Sequence, residues 1–159
     1  MTREERRVLA PSAISVRAGR HFVADVLARW QLDGHLETAT LLASEVVANA
    51  VVHAGTPCVV DVRLDLDRSE VVVAVTDQGD RPVLSPIEAL GLSMVLEDPD
   101  LEAESGRGLL MVATLADRWG IEPSPDGNTV WFALSLGEAA CLGEAASLGD
   151  AASEQESSA

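Results

Sequence analysis

Apolar residues recur at helical spacing through Phe22, Val23, Val26, Leu27 and Trp30, which predicts a helix over residues 16–30. A second helix is expected from about Leu36 to His53, where Ala54-Gly55-Thr56-Pro57 stops it. The spacing then changes. Residues 59–66 alternate apolar and polar positions, while 70–76 are almost continuously apolar, so two strands are expected, the second central in a sheet. Asp67-Arg68-Ser69 is the hairpin turn between them. Residues 80–105 are rich in proline and acids with only short helical potential, which predicts a long mobile loop. Residues 106–117 read as a glycine loop opening into a third helix, and residues 119–122 and 129–136 complete the sheet through Pro123–Asn128. Helices inserted between hairpin-joined strand pairs predict an α/β fold, with helices layered on one face of a mixed, mostly antiparallel sheet.

The patterning stops at Leu136. Residues 137–159 repeat Gly-Glu-Ala-Ala-Cys-Leu in roughly three copies, too small and too acidic to offset ordering entropy. The expected division is therefore a folded domain over 1–136, with a lid at about 80–105, and an acidic low-complexity tail over 137–159. Hydrophobic residues make up 47% of the chain but aromatics only 3%, so the core must be mostly Val, Leu, Ala and Ile.

The formal charge of −15 comes from 26 acidic and 11 basic residues, every basic one an arginine. Such an excess repels nucleic acid and anionic membrane, and neither is expected as a direct partner. A local arginine-containing site for one nucleotide remains compatible with it. Cys58 and Cys141 follow no metal or redox spacing and read as free thiols. No apolar run approaches the ~20 residues of a membrane span, and the first seven residues lead into no signal-like segment, so the cytoplasm is expected.

Three elements carry candidate chemistry. Glu45, Asn49 and His53 fall at i, i+4 and i+8 of the second helix, one polar stripe on an otherwise apolar surface. An asparagine inside a helix lowers its propensity and needs a reason. Asp77-Gln78-Gly79 places an acid and a glycine at the end of a core strand, where a carboxylate can accept from an exocyclic amine and the glycine lets a ring approach. Ser105-Gly106-Arg107-Gly108 precedes a helix whose first N–H groups favour phosphate. Taken singly, these are also a solvated helix face, an Asp-containing turn and an ordinary glycine loop.

Together, in this order and spacing over roughly residues 10–136, they resemble the GHKL superfamily of ATP-binding domains. The helix motif matches Glu45 to His53, the strand end Asp77 to Gly79, the second glycine box Gly106-Arg107-Gly108-Leu109, and the final strand Gly127 to Phe132. The compact form looks most like the anti-sigma-factor serine kinases and short actinobacterial regulatory ATP-binding proteins. The resemblance implies a Bergerat-type two-layer α/β sandwich with ATP and Mg²⁺ as cofactors. It implies Asn49 as the metal ligand, Glu45 as general base, and Asp77 on the adenine amine, with Gly79 and Thr129 lining the base pocket. Gly106 and Gly108 would give phosphate donors from the backbone, Arg107 a charged contact, and His53 would either touch phosphate or support Asn49. A sigma factor and an anti-anti-sigma protein are the implied partners, and a homodimer is compatible with it.

Three positions depart from the pattern. Arg81 stands where the first glycine box commonly has a second glycine, Glu97–Glu104 packs five carboxylates into eight residues, and Asn128 replaces a frequent lysine. Two functions are therefore expected to compete: a protein-serine kinase, favoured by the intact Glu45, and a non-catalytic regulator whose nucleotide sets partner affinity.

Overall fold

Residues 60, 62 and 64 of one strand and 71, 73 and 75 of the next are all Val or Leu, and all six are shut off from solvent. Side chains alternate across a strand, so these two sets mark one buried sheet face, against which the helices pack. The computed structural model describes residues 1–80, 88 and 107–137. In chain order these form β1 (Thr2–Leu9), α1 (Ile14–Arg29), α2 (Asp33–Asn49), a π-helical turn (Ala50–Ala54), β2 (Cys58–Asp65), β3 (Glu70–Asp77), α3 (Arg107–Leu115), β4 (Arg118–Ser124) and β5 (Gly127–Ser135). The described strands lie in the order β1-β2-β3-β5-β4. The expected two-layer α/β sandwich is what forms. Where a mixed, mostly antiparallel sheet was expected, all four pairings are antiparallel.

The core gathers Val23, Val26 and Leu27 of α1, Leu42, Val46 and Val47 of α2, Val112 of α3, and Phe132 and Leu134 of β5. Each such side chain contributes about 1.5–3 kcal/mol by leaving water. This aliphatic content is what the low aromatic fraction required.

Three differences from the expected elements have physical causes. β1 was not legible, because residues 3–7 are all charged. At a sheet edge, charge is tolerated. There Arg6 donates to Asp61 of β2 at 2.5 Å, Glu5 accepts from Arg29 of α1, and Arg7 lies 6.0 Å above the Phe22 ring. The β4–β5 connection is also tighter than Pro123–Asn128, since pairing continues to Ser124 opposite Gly127. Finally, α2 begins at Asp33 and its α-helical hydrogen bonding ends at Asn49. The chain then widens into the π-turn and stops at Gly55, whose φ of 61° is left-handed. The expected lid over 80–105, except Asp80 and Glu88, and the tail from 138 lie outside the described residues, as does Cys141. No described helix is long and apolar enough to cross a membrane.

Candidate functional site

Glu45 and Asn49 lie one turn apart on α2, both half-buried. What they face is the first turn of α3. A Cβ built on Gly108 would stand 2.8 Å from Oε2 of Glu45, 3.3 Å from its Cβ and 3.5 Å from Nδ2 of Asn49. A side chain at this position would push the Glu45 carboxylate out of its present place. The first N–H groups of α3 lack helical partners and carry the positive end of its dipole, so carboxylate, amide and an anion-attracting helix start converge. The structure thus joins two elements 59 residues apart in sequence, Asn49 and Gly108.

The π-turn changes the third member of the stripe. The i, i+4, i+8 alignment holds for α-helical hydrogen bonding, and beyond Asn49 the turn closes i to i+5. The backbone at His53 therefore does not follow Asn49 at α-helical spacing. Gly106 lies outside the described residues, Arg107 begins α3, and Leu109 is half-buried in its first turn.

Asp77 ends β3 on the helix-facing side of the sheet and is only 4% exposed. Its Oδ1 accepts the Gly79 N–H at 2.9 Å, and the Gln78 N–H donates to Thr56 Oγ1 at 3.1 Å, which fixes the loop leaving the strand. Gly79 rests against the end of the π-turn, with Ala54 Cβ 3.2 Å from where a Gly79 Cβ would lie. The loop leaving β3 is thereby in contact with the π-turn that continues the helix bearing Glu45 and Asn49.

Thr129 is not part of this cluster. In the β3–β5 ladder Thr76 faces Thr129 and Asp77 faces Asn128. Paired residues share a sheet face, and the Thr129 hydroxyl lies 2.8 Å from that of Thr76 on the helix-free side. Thr129 thus lies on the sheet face opposite Asp77, and the β5 residue beside Asp77 is Asn128, 8% exposed, with Nδ2 3.5 Å from the Gly79 carbonyl oxygen. The apolar positions Val130, Phe132, Leu134 and Leu136 signal in the sequence that even-numbered residues face the core. Trp131 blurs that alternation.

Cys58, at the start of β2, is buried. Burial pushes its thiol up, and the Asp77 charge adds to the shift. A folded-state value above the unfolded one means the native thiol holds its proton to higher pH. The associated stability is complete below the ordinary thiol value of about 8.5 and is lost as pH rises through the folded value. Cys58 should resist alkylation near neutral pH, and urea midpoints should decline above about pH 8.5, a slope that Cys58→Ala removes.

A groove of about 430 Å³ lies elsewhere, on the helix-free face, lined by residues that include Arg63, Arg68, Val72, Thr129 and Trp131. It contains neither Glu45, Asn49 nor Asp77. The chemistry-bearing cluster sits instead between the helices and the ends of β3 and β5.

An antiparallel sheet backed by helices, with an acid-and-amide helix facing a glycine-led helix start and a buried carboxylate at a strand end, defines a nucleotide-binding α/β domain. The family model for the histidine kinase-like ATPase domain matches residues 9–134, and the chain belongs to that family. A search among curated proteins finds no match.

The residues present fit an adenine nucleotide. Asp77 places a buried carboxylate at the strand end, where it accepts from the Gly79 N–H, and the α3 start offers phosphate its N–H groups. Among the described residues no group of three or more His, Cys, Asp or Glu could cage a metal. A cation held at Asn49 would take its other oxygens from phosphates and water, the usual habit of Mg²⁺.

Proposed function

We propose that this chain is a Mg·ATP-dependent protein-serine kinase of the anti-sigma-factor type, which phosphorylates an anti-anti-sigma partner and sequesters a sigma factor. The observation carrying the reading is the convergence of Glu45 and Asn49 on the α3 start at Gly108. Bound Mg·ATP supplies the transferable phosphoryl group. Asp77 accepts the adenine amine, the α3 N–H groups hold the terminal phosphate, and the Asn49 amide oxygen orients the cation. Glu45 takes the proton of the partner's serine hydroxyl as the serine oxygen bonds to the terminal phosphorus. The bond from that phosphorus to the bridging oxygen breaks, and ADP departs with the electron pair.

Incubating the full chain with radiolabelled ATP, Mg²⁺ and candidate partners tests this directly, with label expected on a partner serine. ATP binding with no transfer to any partner would support the nucleotide-gated regulator instead.

Asn49→Asp is nearly isosteric but adds a charge one turn from Glu45. It should weaken Mg·ATP binding by about tenfold, or about 1.4 kcal/mol, with little change in melting temperature. Calorimetric titration with and without Mg²⁺ checks it, and unchanged affinity removes Asn49 from the metal. A chain ending at Gly137 retains every described element and should keep both ATP affinity and cooperative unfolding. Loss of either would make the tail part of the domain.

A further inference from the structure

The sheet has a second face that no described element covers. Of its acids, Asp61 engages Arg6, Glu70 engages Arg118 at 2.6 Å and Glu122 accepts from the indole N–H of Trp131 at 3.1 Å, while Glu4, opposite Arg63 in the β1–β2 ladder, lies 3.8 Å from Arg6. Arg118 also lies 5.7 Å from the Trp131 ring centre. The guanidinium groups of Arg63 and Arg68 line the groove on this face and make no ion pair or hydrogen bond with any described residue. In a chain of net charge −15, two arginines in one groove, without an ion pair among the described residues, offer charge partners to an acidic segment.

This chain carries such a segment. Residues 138–159 contain five acidic residues and no basic one. They depart where the groove begins, because the Leu136 N–H donates to the Ser69 carbonyl at 2.7 Å, in the turn that carries Arg68. Twenty-two residues reach up to roughly 70 Å when extended, whereas each sheet strand occupies only about 4.8 Å, so the segment can cross the face. Its six-residue repeat is an even number. At alternating spacing, Glu138, Leu142, Glu144, Leu148 and Asp150 fall on one side, with Gly, Ala, Ser and Cys on the other. Acid and leucine on one side complement arginine, Val72 and Trp131 in the groove.

We propose that residues 138–159 dock on the helix-free sheet face of their own chain, with their carboxylates on Arg63 and Arg68. The face lies opposite Glu45, Asn49 and Asp77, so docking governs access to this sheet surface and leaves nucleotide binding alone.

A nitroxide placed on the full chain tests the proposal. The variant is Ser153→Cys in a Cys141→Ser background, with Cys58 buried. Signals of Arg63, Ala74, Thr129 and the Trp131 indole should broaden several-fold more than those of Arg20 and Asp25, exposed on α1. The contrast should vanish in Arg63→Gln/Arg68→Gln, and at about 1 M salt, where screening shortens to about 3 Å. Equal broadening on both layers, or contrast that survives loss of both arginines, overturns it. So does broadening seen only between tagged and isotope-labelled molecules in a mixture, because the face would then belong to a second copy.

Discussion

Glu45→Gln is expected to hold ATP affinity within a few-fold of wild type while lowering phosphoryl transfer to a partner serine by about 10²–10⁴-fold. The substitution keeps the shape that fits against Gly108, where a Cβ would already lie 2.8 Å from Oε2. It removes the carboxylate proposed to accept the serine proton. Removing a negative charge beside the α3 start also eases phosphate approach, so any change in affinity should be toward tighter binding. A binding titration and a transfer assay on one preparation read the two halves separately. Wild-type transfer by the variant would exclude Glu45 as the base. Equal ATP binding with no transfer by either protein would make the nucleotide-gated regulator the better account.

Gly127→Ala should cost stability and, with Asp77 as the proposed adenine contact, weaken ATP binding as well. A Cβ at this position would stand 2.1 Å from the Asp77 carbonyl oxygen and 2.8 Å from Gln78 Cα, both backbone atoms that no rotamer change can move. Relief requires β5 to separate from β3 just where Asp77 and Asn128 pair. Overpacking commonly costs about 1–3 kcal/mol, and the upper end is expected here. At roughly 2–4 °C per kcal/mol for a domain near this size, the melting temperature should fall by about 10 °C. Because the strain sits beside Asp77, ATP affinity should fall even where the variant remains folded. Calorimetric melts and titrations below the transition check both. A melt within a degree of wild type would show that the ends of β3 and β5 yield freely, leaving Asp77 without a fixed position.

Much of the site could be read along the chain because it is local. Four residues make one helical turn, so Glu45 and Asn49 share a face wherever that helix packs. Asp77 and Gly79 close their own short loop through a bond spanning two residues. A glycine pair ahead of an apolar helix needs no partner to define an anion-attracting start. The element order was legible for the same reason, since helical and alternating spacing are properties of short windows. β1 lacked such a signal: its charged residues become a strand only because β2 offers an edge to pair with.

The remaining decisions depended on contacts between distant segments. Whether residue 128 or 129 joins Asp77 turns on ladder register, where a single step moves a side chain to the opposite face. The register puts Asn128 beside Asp77 and sends Thr129 to the open side. The π-turn ends the α-helical hydrogen bonding at Asn49, and its last residue, Ala54, lies against Gly79. The sequence by itself determined which residue types were available, their spacing within each element, and hence the nucleotide-binding class. Only the tertiary structure decided that the acid and amide of α2 face the start of α3, because the approach of Gly108 to Glu45 is set by the packing of two helices rather than by either one alone.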